Sequence, residues 1–377
     1  MNPSSGMSTT VAPTAFTARL ERLQALLAEQ ELDALVISQQ HNRRYLTGFT
    51  AGDGSAGESS GWLFVTPAAA WLATSFLYLE QAERETAGLT LAKMETTLAE
   101  TVAGLIKETG VRRVGFEDAD LTVVEHAALA EAKVELVKSG GLVEKLRAIK
   151  EEGELATIQR AAALTDAAYQ LALEQLRPGI SERELAWKLE SFLRENGSTG
   201  LAFEVAVAFG PSTAIPHAHP GPQRLESGMP YWIDMGARVD GYCADLTRAG
   251  WVGRHTADYE TYERVYELAL AAHALAFERI RPDMTSKAAD AVARDLIAAS
   301  GHGDDFGHSL GHGVGLAVHE APALSKRYED ALPSGSVVTV EPGIYLPGRF
   351  GVRIEDLAVL RDDGLQPLSH APKHRNL

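Results

Sequence analysis

Five side chains in the C-terminal part of this 377-residue sequence, Asp234, Asp245, His312, Glu341 and Glu355, are of types that bind divalent cations. The aspartates lie eleven residues apart in "YWIDMGARVDGYCADLTRAGW", and the glutamates fourteen apart in "VVTVEPGIYLPGRFGVRIEDLAV". Each stretch reads as two apolar strands joined by a turn, "VDG" in the first and "PG" in the second. In an antiparallel pair, facing residues have numbers that sum to a constant. A hairpin centred between Val239 and Asp240 sets Asp234 against Asp245, and one centred on Gly348 sets Glu341 against Glu355. Facing Cβ atoms are about 4.5–5.5 Å apart, and like charges there repel. Unpaired charges are rarely buried, so four carboxylates in apolar strands predict one shared, cation-filled site.

The histidines extend that site. In "GHSLGHGVGLAVHE", His308, His312 and His319 lie among glycines, which let backbone and ligand approach closely. Four carboxylates and the His312 imidazole form a hard, oxygen-rich set. It suits Mn²⁺ first, with Co²⁺, Fe²⁺ or Zn²⁺ as further candidates, and it differs from the thiolate and imidazole set of a structural zinc site. Four negative charges exceed what one divalent ion offsets, so two ions are expected. A pair about 3.5–4 Å apart can activate water and clamp a developing oxyanion. A histidine left over after ligation can donate to a substrate oxygen. Cys243 lies between the aspartates; alternation could turn it toward the site, but a packed thiol is the expected role.

Composition and patterning supply the frame. The chain is long enough for two domains, and 45% apolar with 23% charged residues is ordinary for a folded protein. A net charge of −16 argues against nucleic acid as a partner. One cysteine excludes an intramolecular disulfide and agrees with a cytoplasmic location. No apolar run reaches membrane-spanning length, and the N-terminus lacks a signal-peptide core, so "NGS" at Asn196 carries no glycosylation meaning. Residues 1–14 are polar and expected to be disordered. Over 15–147, the runs "ALVIS", "WLFVT", "AWLAT" and "RRVGFE" read as strands. Helical patterns alternate with them at Ala15–Gln30, Phe76–Thr86, Thr97–Thr109 and Thr122–Ala130. "HNRRYLTGF" is expected as a loop with Arg43 and Arg44 exposed. Over 148–377, the order is helix pair, hairpin, helix pair, hairpin, with Ser181 and Glu184 as a capping box. That order favours a curved antiparallel sheet with acids on one face and helices behind, an α+β architecture in two domains.

These residues also resemble a known family. The Asp-x10-Asp spacing, "GHGVGLAVHE", "EPGIY" and "VRIED" look like the pita-bread metallopeptidases, in the proline-specific branch of prolidase and aminopeptidase P. The resemblance covers about 143–368. The N-terminal half more loosely resembles the creatinase-like domain of that branch, through "NRRYLTGF" and "GWLFVTP". The resemblance implies that Asp234 holds a first ion, that Asp245 and Glu355 bridge, and that His312 and Glu341 hold a second. It implies substrate contact by His217, within "TAIPHAHP", and by His319. His308 would border the proline pocket, and Arg353 would support the ligands. His219 has no assigned role. The implied reaction is hydrolysis of the bond before proline, with Glu341 moving the proton, in a homodimer acting on short proline-containing peptides.

A dipeptidase must bind the proline carboxylate with a cation, and "SKRYED" offers Lys326 and Arg327 for that task. Ala323, just after "HEAP", stands where some prolidases carry arginine, which counts against this choice. Xaa-Pro dipeptidase is the leading expectation, with aminopeptidase P on longer peptides second. A non-catalytic module of the same fold, or a metal-free creatinase-like hydrolase, would show gaps among the five ligands, and none is missing.

Overall fold

A computed structural model describes residues 13–55, 57–86 and 88–377 of the chain. Most of the segment expected to be disordered, residues 1–12, lies outside this description. Two compact units follow one another along the chain, the first ending at Arg147 and the second starting at Ala148.

The first unit alternates short apolar strands with helices. It contains α1 (Pro13–Glu29), β1 (Ala34–Ile37), α2 (Gln40–Thr47), β2 (Gly61–Val65), β3 (Ala70–Thr74) and α3 (Leu79–Glu85). It continues with β4 (Thr90–Lys93), α4 (Leu98–Thr109), β5 (Arg113–Phe116), α5 (Val123–Ala130), β6 (Glu135–Lys138) and α6 (Leu142–Ala148). The six strands form one mixed sheet in the order β4-β3-β2-β1-β5-β6. β1 and β2 are buried along their whole length, as continuous apolar runs predict. Ala34, Val36, Trp62 and Phe64 pack against Val102 and Ile106 of α4. The edge strands β4 and β6 are half exposed and were not expected from the sequence.

"HNRRYLTGF" is a helix rather than a loop. The Gln39 side chain accepts from the Asn42 N–H at its start, and Gly48, at φ 78°, closes its end by donating to the Arg44 carbonyl. Turning this segment into a helix directs Arg43 inward instead of to solvent. Its guanidinium meets Asp53 at 2.8 Å and also donates to the Ala51 and Gly61 carbonyls and to Ser60. Burial raises the Asp53 pKa, but the Arg43 and Ser60 bonds outweigh it and hold the carboxyl below its ordinary value.

The second unit opens with the helix pair α7 (Glu152–Gln175) and α8 (Glu182–Glu195), the latter started by the Ser181–Glu184 capping box. Then come β7 (Gly200–Leu201), β8 (Ala206–Phe209), β9 (Met229–Met235), β10 (Ala237–Val239), β11 (Tyr242–Cys243) and β12 (Leu246–Val252). A second helix pair follows, α9 (Tyr259–Arg279) and α10 (Ser286–Ile297). The chain ends in β13 (Gly311–Gly313), β14 (Glu320–Leu324), β15 (Val337–Val340), β16 (Gly343–Leu346), β17 (Phe350–Arg353), β18 (Asp356–Arg361) and β19 (Gly364–Pro367). The pairings between these strands are antiparallel, in sheets ordered β12-β9-β8, β11-β10-β7, β14-β13-β15-β18-β19 and β16-β17. Val338, Val340, Ala358 and Leu360 face a core shared with Ala269 and Ala276 of α9 and Ala289 and Ala293 of α10. Alternation therefore turns Thr339 and Glu341 to the other side.

The two acidic hairpins differ in register. Gly343 pairs with Arg353 and Val340 with Asp356, so Glu341 stands opposite Glu355 as expected. In the aspartate hairpin Asp234 faces Thr247, not Asp245. The turn is the two-residue Asp240-Gly241, both with positive φ, and Val239 pairs with Tyr242. This Asp-Gly geometry matches the twist of the strands and moves the centre one residue along. Asp245 is then two residues from Thr247 on the same side of the strand, diagonal to Asp234. Among the described residues, no helix is long and apolar enough to cross a membrane.

Arg43→Met should cost about 3–5 kcal/mol in urea unfolding, because it strands a partner of a buried ion pair. Asp53 is depressed in the fold, so its contribution is present above the unfolded carboxyl pKa of about 3.9. It is lost as pH falls through the folded value. The gap between parent and variant should therefore narrow below about pH 4.

Candidate metal centre

Asp234 near the end of β9, Asp245 just before β12, His312 in β13, and Glu341 and Glu355 at the open ends of β15 and β18 line one cavity of about 480 Å³. Ligand atoms of Asp245, His312 and Glu355 lie within 4.8 Å of one another. His312 Nε2 is 3.6 Å from Asp245 and 3.4 Å from Glu341. Gly311 and Gly313 flank His312 because a Cβ at either would strike backbone, of Thr339 at the first and of Glu320 and Ala321 at the second. The segment expected as a histidine-rich loop thus contains a short strand at His312.

Protonation follows from the partners. His312 Nδ1 is 3.1 Å from the Gly313 carbonyl, and a carbonyl can only accept, so Nδ1 carries the proton and Nε2 offers its lone pair to the cavity. Burial lowers the His312 pKa and keeps the ring neutral. The same argument gives His308 a protonated Nδ1, bound to the Ser309 carbonyl at 2.8 Å, while Nε2 accepts from Tyr345 at 3.2 Å. Burial lowers the His308 pKa as well, and it lowers His319, helped by the neighbouring His312 and His217. The His312 and His319 ring centres are 4.2 Å apart.

The acids experience the opposite pressure. Burial, then repulsion from Glu355, Asp234 and Glu341, drives Asp245 well above its ordinary pKa. Burial, then repulsion from Glu341 and Asp234, does the same to Glu355, and burial raises Glu341. Arg353 opposes this from one side. It pairs with Asp234 Oδ2 and donates to Thr247, Tyr345 and the Pro216 carbonyl, with its guanidinium 4.9 Å over the Trp232 ring. Thr247 in turn donates to Glu355 at 2.6 Å. Asp234 Oδ1 is buried with no hydrogen-bond partner. An orphaned carboxylate oxygen beside three further acids and a neutral imidazole lone pair fits hard divalent cations.

His217, His308, His319, Arg327 and Arg353 also line the cavity, whereas Lys326, His219 and Cys243 do not. His219 is exposed and 3.5 Å from Glu204. Cys243 is buried, its Sγ 3.7 Å from the Leu316 carbonyl. Sequence reasoning missed Thr247, Tyr345 and Phe203. Tyr345 was within reach, since it ends "EPGIY"; Thr247 emerges only once the register is known.

Metal removal should expose the repulsion. Carboxyls raised in the fold give stability that is present below the unfolded pKa of about 4 and lost as pH rises through the folded values. Chelated protein should therefore melt at lower temperature as pH rises above about 4, and saturating Mn²⁺ should raise the melting temperature most at neutral pH. Asp245→Asn should abolish activity yet stabilise the metal-free form at neutral pH.

Residues 156–362 match the family model described as Metallopeptidase family M24, and 19–149 match the Creatinase/Prolidase N-terminal domain. An Xaa-Pro dipeptidase of Pyrococcus furiosus is 34% identical over 93% of this chain and 97% of its own length. The solved Xaa-Pro dipeptidase from Bacillus anthracis superposes with a TM-score of 0.89 at 36% identity, covering 96% of this chain and all of that one. The X-Pro aminopeptidase from Thermotoga maritima gives 0.85 at 32%, covering 95% and 99%. With its acidic cavity and both domains matched, the chain belongs to metallopeptidase family M24, in the two-domain creatinase-like and pita-bread architecture.

Proposed function

We infer that this protein is an Xaa-Pro dipeptidase, a metal-dependent hydrolase of the peptide bond before proline. The observation that carries it is the convergence of four carboxylates and one neutral imidazole on a single cavity, with Asp234 Oδ1 unpartnered. The likeness to Xaa-Pro dipeptidases over nearly the whole chain supports the same reading. Residues 148–377 are the catalytic domain and 15–147 the creatinase-like domain. Asp234, Asp245, His312, Glu341 and Glu355 would hold two divalent ions, manganese by the hardness of the donors. A homodimer belongs to the same reading.

When bound, such ions supply Lewis acidity toward the scissile carbonyl and bring a water's pKa to about 7. Glu341, raised by burial, takes the proton from the attacking water and returns it to the departing imide nitrogen of proline. Neutral His319 donates an N–H to the developing oxyanion, and His217 holds the substrate backbone. Arg353 keeps Asp234 and Tyr345 in place. His308 borders the proline ring, and Arg327 meets the terminal carboxylate.

His319→Ala should keep metal content and lower turnover by about 10²–10³, the loss expected for one oxyanion donor. His312→Ala should lose metal as well. If both variants keep full metal and parent rates, the division into ligand and donor fails.

An aminopeptidase leaves the proline carboxyl in a peptide bond, so the two proline-specific activities separate at Arg327. Arg327→Glu should weaken Ala-Pro hydrolysis by about 1.5–3 kcal/mol, the worth of a charge-assisted hydrogen bond. It should spare Ala-Pro-Ala, whose carboxylate lies one residue further out. Lys326→Glu, outside the cavity, should affect neither substrate. Equal losses on both peptides would remove the dipeptidase assignment.

A further inference from the structure

The segment that carries His308 into the cavity is held from behind by one ion pair on α10. Arg294 Nη1 donates to the Phe306 carbonyl at 2.9 Å, and Nη2 donates to the His308 carbonyl at 2.7 Å. Its guanidinium also lies 4.3 Å over the Phe306 ring. Asp290, one helical turn earlier, accepts from Arg294 Nε and Nη2 at 2.6 and 2.9 Å. The same carboxylate accepts from the Leu310 N–H at 3.0 Å. The Leu310 carbonyl then accepts from the Glu341 N–H at 2.8 Å. Asp290 is 1% exposed, and neither member of the pair lines the cavity.

We propose that Asp290 and Arg294 are positioning residues that set the His308 ring for the reaction. A buried aspartate alone would need only a cation nearby. Here the planar fork spans two carbonyls two residues apart, while Asp290 takes the N–H two residues further on. These three bonds fix the path of the backbone on both sides of His308. The ring projecting between them lies 3.2 Å from the Tyr345 hydroxyl and 3.9 Å from Glu341. A lysine could neutralise Asp290 but could not bridge both carbonyls. The inference rests on His308 bordering the substrate, so the test includes that residue by itself.

The experiment is a double-mutant cycle on the full-length, manganese-loaded protein with Ala-Pro as substrate, using His308→Ala, Arg294→Ala and the pair. Metal content is measured for every variant. Arg294→Ala is expected to keep its metal and lose up to about 10²-fold in kcat/KM, the scale of a displaced substrate-positioning group. In the His308→Ala background the same change should cost no more than about 2-fold, the tolerance within which independent sites add. Arg294→Lys, the variant to use in the cycle if Arg294→Ala does not fold, should keep the parent melting temperature and still lose rate. Full multiplicative losses in the cycle, or parent kinetics for Arg294→Lys, would overturn the proposal. A silent His308→Ala would instead remove the substrate role assigned to His308, and the proposal with it.

Discussion

Mutual repulsion among four clustered carboxylates, Asp245 and Glu355 buried and Asp234 and Glu341 half-buried, is the constraint on which the second unit is built. Two unit charges 4 Å apart interact by about 4 kcal/mol at an effective dielectric of 20. Arg353 neutralises Asp234 from one side but leaves Asp245, Glu341 and Glu355 with raised pKa values. Such a cluster is unfavourable by itself, and stable folds retain buried charges when opposite charges or metals compensate them. Divalent cations supply that compensation, so metal binding and the stability of the sheets around the cavity are one equilibrium.

The scaffold resists relaxation of this repulsion. The strands bearing the acids are buried on both sides, and their outward faces pack against α9 and α10. Backbone pairing runs between the two acidic hairpins as well, since Glu355 N–H donates to the Thr247 carbonyl at 3.1 Å. Moving one carboxylate away therefore breaks a ladder and opens the core. Behind His319, Lys150 and Glu320 form a buried pair at 2.9 Å that ties the next residue of the chain in place. The proposed ligands and donors thus stand on elements whose own stability fixes them.

Much of this was legible in the sequence because charge in an apolar strand is a strong signal. The glutamate hairpin was readable to the register, since its pairing is continuous around Gly348. The aspartate hairpin was not, because "VDG" admits two centres and only the left-handed Asp240-Gly241 turn selects one. α2 was missed since its two arginines read as surface, while its caps, Gln39 and Gly48, act through geometry that spacing does not reveal. β4 and β6 lack alternation because, as edge strands, they bury little. Thr247, Tyr345 and the bonds from the Asp290–Arg294 pair to residues 306–310 depend on tertiary packing, to which one-dimensional pattern is blind.

Glu355 and its neighbour Asp356 show how completely environment decides the charge state. Alternation turns them to opposite sides of the same strand. Both are buried, and burial alone would raise both. Glu355 meets Glu341 and Asp234, so its pKa rises further. Asp356 meets His273 at 3.2 Å, Arg248 at 2.6 Å and Lys373 at 2.5 Å, and these outweigh burial to hold it well below the usual carboxylate range. Arg248 also donates to the Glu355 and Ala371 carbonyls, so the C-terminal segment, α9 and the acid-bearing strand share one set of charge-assisted bonds. The satisfied aspartate anchors the strand from the helix side. That anchoring leaves its neighbour nowhere to turn, and a carboxylate held in that way, short of positive charge, is what a cation site requires.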